Sequence, residues 1–256
     1  MIRQEAPRPG FADLLGLGRS LLMYYAIPGR TRAWRRFYRA FIQPGDLCFD
    51  AGAHVGSRSR ALLACGARVL ALEPQPLFYA TLQRLLGSKP DLVLDPRGLS
   101  DQAGEATLRA SRRTPTVSTL SGEWAEEVGQ TTGFHSVRWD AEARVPVTTL
   151  DALIAEHGLP VFCKLDIEGS EAIALQGLSQ PIRHVSFEYL PAAMKIAQEC
   201  IQRLESLAGY EYNLVRSEYP RFHSDRWLSA AEVRDSLAAI DPAARAGEVY
   251  ARQVGV

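Results

Sequence analysis

The feature that most constrains this chain is a short apolar run, Leu47-Cys48-Phe49-Asp50, that leads directly into Ala51-Gly52-Ala53-His54-Val55-Gly56. An apolar run entering glycines is how a buried parallel strand hands over to a helix, and open α/β sheets bind ligands beyond such strand ends. Gly52 lets backbone approach a ligand closely, and Gly56 lets the following helix start tight against the sheet. The dinucleotide fingerprint G-x-G-x-x-G would need glycines where Asp50, Gly52 and Val55 stand, and only Gly52 matches. An aspartate at the first of those positions repels a pyrophosphate. It suits a cationic amino-acid nucleoside, whose ammonium a carboxylate can hold directly or through water.

A second element supports the first. Val69-Leu70-Ala71-Leu72-Glu73-Pro74 reads as the next strand, with Glu73 at its end about 20 residues after the glycine turn, where a carboxylate accepts from both ribose hydroxyls. Pro74 stops the strand and turns the chain. Taken alone, these residues also fit an ordinary tight turn followed by a helix-capping glutamate.

Strands and helices alternate along most of the chain. We expect helices over Phe11 to Ala26 and Thr31 to Ile42, broken at Pro28-Gly29, with residues 1–10 frayed. Beyond Gln43 come a helix from Ser57 to Cys65, a strand from Arg68 to Leu72, a helix from Pro76 to Leu86 and a strand from Leu92 to Leu94. After an irregular stretch the alternation resumes with a strand from Val145 to Thr148, a helix from Leu150 to His157 and a strand from Val161 to Leu165. A helix from Ser170, a strand from His184 to Tyr189, a helix from Ala192 to Leu207, a strand from Tyr210 to Val215 and a helical tail from Trp227 to Ala239 complete the pattern. Such alternation implies a doubly wound α/β fold, its mostly parallel sheet covered by helices on both faces. The expected division is an N-terminal helical extension over 1–44 and one domain over 45–256. Within it, 105–145 is an insert that overhangs the sheet as a lid or substrate wall, with Trp124, Phe134 and Trp139 as its aromatic residues.

Charge excludes some partners. The formal net charge of +0 offers no general pull toward nucleic acid. Up to Gln43, however, eight arginines face only Glu5 and Asp13, a local charge of +6. Those helices suit either a solvated face or weak contact with a membrane surface. No segment has the length of a spanning helix or the order of a secretion signal, so a cytoplasmic protein is expected. Cys48, Cys65, Cys163 and Cys200 are widely spaced and read as reduced, structural thiols.

Five segments, in order, carry a resemblance. Asp50-Ala51-Gly52-Ala53-His54-Val55-Gly56, Leu72-Glu73-Pro74-Gln75-Pro76, the stretch from Gly98 to Leu108, Val147-Thr148-Thr149-Leu150-Asp151 and Lys164-Leu165-Asp166-Ile167-Glu168-Gly169-Ser170-Glu171 resemble the FkbM family of S-adenosylmethionine-dependent methyltransferases over roughly residues 45 to 190. His54 stands where that family commonly has Asn. The resemblance implies a class I methyltransferase (Rossmann-like) fold, S-adenosyl-L-methionine as cofactor, and O-methylation of a small-molecule or glycan hydroxyl, with N-methylation open. On this reading Asp50, Gly52, His54, Val55, Gly56, Glu73, Pro74 and Asp166 hold the donor.

Lys164 to Glu171 ends the strand expected across the switch point from the first, so its acids face the same crevice. Asp166 stands nearest the transferred methyl, either on the donor or accepting the acceptor's proton, and Glu168 is the second candidate for catalysis. Glu188, at another strand end, and Ser118, in a loop rich in Ser and Thr, are the substrate-binding candidates. His54 and His135 are weaker candidate bases. Asp166, Glu168 and Glu188 have the chemistry to hold Mg²⁺, but carboxylates without a ligand spacing more often meet substrate, and no pair has zinc spacing, so no metal is expected. The rival readings are a nucleotide (NAD(P))-dependent oxidoreductase and a non-catalytic scaffold of the same fold. Oligomeric state is not legible.

Overall fold

The stretch Leu47–Ala51 (β1) is buried along almost its whole length, as a strand with helices on both sides must be. The computed structural model describes residues 10–131, 134–217 and 219–255; the expectation for the first nine residues falls outside these. Before β1 come helices Phe11–Tyr25 (α1) and Arg30–Tyr38 (α2). After it follow Ser57–Leu63 (α3), Arg68–Leu72 (β2), Pro76–Leu86 (α4) and Leu92–Asp95 (β3). Proline opens α4, where its missing N–H costs nothing and its fixed φ suits a helix. β1 pairs in parallel with β2, and β2 with β3.

The chain then leaves the main sheet. Gly98–Leu99 (β4), Gly104–Ala110 (β5) and Ala141–Thr148 (β6) form a separate three-stranded sheet in the order β4-β6-β5, and Gly122–Gly129 (α5) lies between β5 and β6. The expected strand at 145–148 is therefore real but does not resume the parallel sheet. It is the end of a longer strand pairing antiparallel with β5 and parallel with β4. Its outward positions, Glu142 and Arg144, are exposed, a two-residue alternation that fits a half-solvated antiparallel strand and not a doubly covered one.

Leu150–His157 (α6), capped by the Thr149 hydroxyl on the Ala152 N–H, returns the chain to Phe162–Leu165 (β7) beside β1. Glu171–Gln176 (α7), His184–Tyr189 (β8), Met194–Leu207 (α8), Tyr210–Arg216 (β9), Ala230–Ala238 (α9) and Gly247–Gln253 (β10) complete the fold. The seven-stranded order is β3-β2-β1-β7-β8-β10-β9. The helix expected at 227–239 appears as α9, and beyond it β10, for which the sequence carries no assignment, inserts between β8 and β9, antiparallel to both. A mostly parallel sheet with an antiparallel edge results.

Successive β-strand residues point to opposite faces, so β1 feeds two cores. Phe49 packs with Leu70, Leu165 and Phe187 on one face, and Cys48 packs with Val69, Phe162 and Trp34 on the other. All four cysteines are buried and free. No helix among the described residues is long and apolar enough to cross a membrane.

Candidate active site

Sequence order runs outward from β1 through β2 to β3, then returns on the other side at β7. The strand tips at this reversal form the crevice in which open α/β sheets bind ligands. A cavity of about 830 Å³, including open space at its mouth, lies there. Its walls include Gly52, His54, Glu73 and Pro74 from the β1 and β2 tips, Asp166 and Glu168 beyond β7, Glu188 of β8, and Ser118 from the loop after β5. Val55 lines a smaller recess that shares Gly52, His54 and Asp166 with it. Thus the structure brings together eight of the residues singled out from sequence, with Val55 adjoining them.

Asp50 and Gly56 lie behind this surface. Asp50 is fully buried; one carboxylate oxygen accepts from the Ser59 hydroxyl at 2.5 Å, and the other lies 3.9 Å from Lys164 Nζ. The expectation that Asp50 and Glu73 embrace one ligand from two sides is therefore corrected: only Glu73 faces the cavity. The reason is local, because Lys164, buried on the neighbouring strand, supplies the cation that Asp50 was expected to find in a ligand. Gly56 has a φ of 79°, and a Cβ there would press on Leu82 and Leu86, so its role is helix-to-sheet packing.

The glycine turn is tight for a reason. Gly52 has a φ of 77°, and a side chain there would run into the Asp166 carbonyl. The Gly52 and Ala53 N–H groups both donate to the Leu72 carbonyl, which ties the turn to the β2 tip. Glu73 follows, its two oxygens accepting from the His54 N–H at 2.8 Å and the Gln75 N–H at 2.9 Å. Burial pushes its carboxyl up to about 7, against the lowering effect of those amides. Each oxygen keeps a further lone pair, as ribose hydroxyls require. The His54 ring packs on Phe78 at 4.2 Å between centroids; burial lowers it to about 4, and Nε2 has no hydrogen-bond partner among the described residues. A neutral imidazole results. His135 is exposed and lines no part of the cavity.

Across the cavity the electrostatics are different. Asp166 accepts from Lys164 Nζ at 2.8 Å. Burial alone would raise the Asp166 carboxyl, but the Lys164 charge and hydrogen bond outweigh it and hold the group low. Burial also works against the Lys164 ammonium, and Asp166, Asp50 and Glu248 together keep it charged. Glu168 and Glu188 are pushed well above the usual carboxylate range, first by burial and then by each other's neighbourhood: Asp166 and Glu171 act on Glu168, and Glu168 and Asp166 act on Glu188. Asp166, Glu168 and Glu188 each offer an oxygen within 4.8 Å of the others. That spacing suits a cation or a shared proton.

Several site residues escaped the sequence reading. Glu171 is buried and holds the loop after β7 by accepting from the Ile167 N–H at 2.8 Å and the Gly169 N–H at 3.0 Å. Thr119 donates to the Glu168 carbonyl at 2.5 Å and so fastens the insert to the same loop. From the extension, Tyr24 lines the cavity, and the Tyr25 hydroxyl donates to the Val55 carbonyl at 2.7 Å. One signal was available: Lys164 stands inside an apolar strand, and a lysine is almost never fully buried without a partner.

Residues 50–237 match the family model described as the Methyltransferase FkbM domain. No curated protein matches the chain. Solved structures similar to it include an O-methyltransferase from Bacillus cereus in complex with SAH, at 8% identity over 99% of this chain and 93% of that chain, with a TM-score of 0.48. A precorrin-6Y C5,15-methyltransferase from Geobacter metallireducens is 10% identical over 87% of each chain, with a TM-score of 0.45. A putative methyltransferase from Streptococcus mutans in complex with SAH is 9% identical over 89% of this chain and 99% of that chain, with a TM-score of 0.40. Likeness at this level adds no argument to the one made by the sheet order and the family match.

Proposed function

Because the chain belongs to the FkbM-domain methyltransferases, for which S-adenosyl-L-methionine is the methyl donor, we propose that it methylates a hydroxyl of a sugar or secondary metabolite, and that this acceptor sits against Asp166, Glu168, Glu188 and Ser118. What supports the reading most is one cavity with Glu73 on one wall and the acids beyond β7 on the other. The residues fit the donor. Glu73 has lone pairs to spare for ribose hydroxyls, and Gly52 brings the β1 turn to the cavity wall without a side chain.

When bound, the donor supplies an electrophilic methyl on a sulfonium. Asp166, kept ionised by Lys164, would face the positive end of that group from the cavity wall. Ser118 and Glu188 orient the acceptor, and the insert loop excludes water above it. Positioning of this kind supplies most of the acceleration. Glu168, in its ionised form, would take the proton of the acceptor hydroxyl as that oxygen gains the methyl. A carboxylate whose proton affinity is raised by burial and by neighbouring acids is a stronger base for that step. The catalytic unit in this reading is residues 45–256, with 1–44 as the extension that contributes Tyr24.

The test is to incubate the protein with donor carrying a labelled methyl and an extract of its host, then identify the labelled product. An O-methyl product formed by the wild type and not by Asp166→Asn supports the proposal. Label on nitrogen or carbon, or equal labelling by both proteins, overturns it.

A further inference from the structure

Helix α1 is apolar on the wrong side for a helix that merely packs on a protein. Its inner face is accounted for: Gly16 and Ser20 are buried, Gly16 lies against the Arg112 carbonyl and Pro115, and Tyr24 reaches the cavity. Phe11, Leu15, Gly18 and Leu22 follow the i, i+4, i+7, i+11 spacing of a single face on the opposite side. Of these, Phe11 is 79% exposed, Leu15 58% and Leu22 69%, with Leu14 beside them at 51%. Met23 and Ile27 extend the exposed apolar surface toward α2. Half of the large hydrophobic residues exposed among the described residues thus belong to one helix and the turn after it, and patches of that kind mark interaction sites.

The charge around the patch identifies its partner. Between residues 10 and 43 the arginines at 19, 30, 32, 35, 36 and 39 face a single acid, Asp13, and Arg19, Arg32, Arg36 and Arg39 are exposed. We infer that α1 lies flat on an anionic lipid surface, with Phe11, Leu14, Leu15 and Leu22 in the acyl boundary and the arginines on the headgroups. Arg19 stands on α1 itself, Arg30 donates to the Met23 carbonyl at 3.2 Å, and the remaining arginines follow on α2 and at its C-cap. An apolar helix face accompanied by basic residues is the composition of an interfacial helix, and such residues add attraction to acidic lipid. The alternative occupant, a second copy on a two-fold axis, would set these arginines against their own counterparts. Charge therefore favours the bilayer. The inference does not depend on the acceptor's identity, although it brings the bilayer beside a helix that forms part of the cavity wall.

The test is flotation of the full chain with phosphatidylcholine vesicles, with and without phosphatidylglycerol. Binding is expected to be at least about tenfold tighter with the anionic lipid and to weaken with salt. Leu15→Glu with Leu22→Glu abolishes flotation while leaving the affinity for S-adenosylhomocysteine, read by calorimetry, unchanged. Arg32→Gln with Arg36→Gln lowers the partition coefficient roughly fivefold per arginine. Failure of the wild type to float overturns the inference. So does a dimer, seen by light scattering, that the leucine pair dissolves while vesicles are ignored.

Discussion

On the cavity wall built by the β1 and β2 tips, each oxygen of Glu73 is met by a backbone N–H, and behind it Asp50 is served by Ser59 and Lys164. On the facing wall, no hydrogen bond reaches the carboxylates of Glu168 or Glu188 from any described residue, and both crowd against Asp166. On the first wall the Glu73 carboxylate is already held in place before any ligand arrives, as a group that recognises the donor's ribose can be. The second holds repulsion in reserve, which is what a reacting centre needs if bound acceptor and donor charge are to relieve it.

That contrast predicts its largest effect at the strained wall. Asp166→Asn, which removes the charge opposite the sulfonium, should lower kcat by ~10² to 10³-fold while changing the dissociation constant of S-adenosylhomocysteine less than tenfold. A loss of binding equal to the loss of rate would move Asp166 to the donor wall. Next in size is Lys164→Met, which leaves Asp50 and Asp166 without their shared cation and should cost ~3 to 5 kcal/mol in urea denaturation. Glu188→Gln should do the reverse, raising stability at alkaline pH, because a carboxyl with a raised folded-state pKa opposes folding once ionised. If both substitutions destabilise the protein alike, the two walls are not distinct.

Smaller effects sharpen the donor side. Glu73→Gln should weaken S-adenosylhomocysteine by ~10 to 100-fold in calorimetry, the worth of hydrogen bonds to a charged group. Glu73 and Glu171 are both raised by burial from 4.5 to about 7. Their contribution to stability is therefore fully present below pH 4.5 and is lost as pH rises through 7. Thermal unfolding of the ligand-free protein should show that decline, and Glu171→Gln should flatten it. Ser118→Ala should raise the acceptor KM only a few-fold, in line with a single neutral hydrogen bond of ~1 kcal/mol.

Much of this was legible from local pattern. The strand at 68–72, the helices at 76–86 and 150–157 and the strand at 184–189 stand where periodicity and flanking turns predict them. Local pattern says nothing about partners distant in sequence, and the departures are of that kind. β10 becomes a strand because β8 and β9 leave a place between them, and β6 belongs to a second sheet because β5 captures it. Asp50 shows the same limit at a single residue. From sequence its charge pointed to a ligand; Lys164, more than a hundred positions later, lies nearest the free oxygen. The methyltransferase assignment therefore rests on the family match and on Glu73, not on a pair of carboxylates around the donor.

The most direct measurement is a crystal structure with S-adenosylhomocysteine bound. The ribose hydroxyls should rest on the Glu73 carboxylate, with the sulfur turned toward Asp166 and Glu188 across the cavity. A nucleoside bound away from Glu73, or a sulfur facing the satisfied wall with the acids beyond β7 out of reach, would contradict the account.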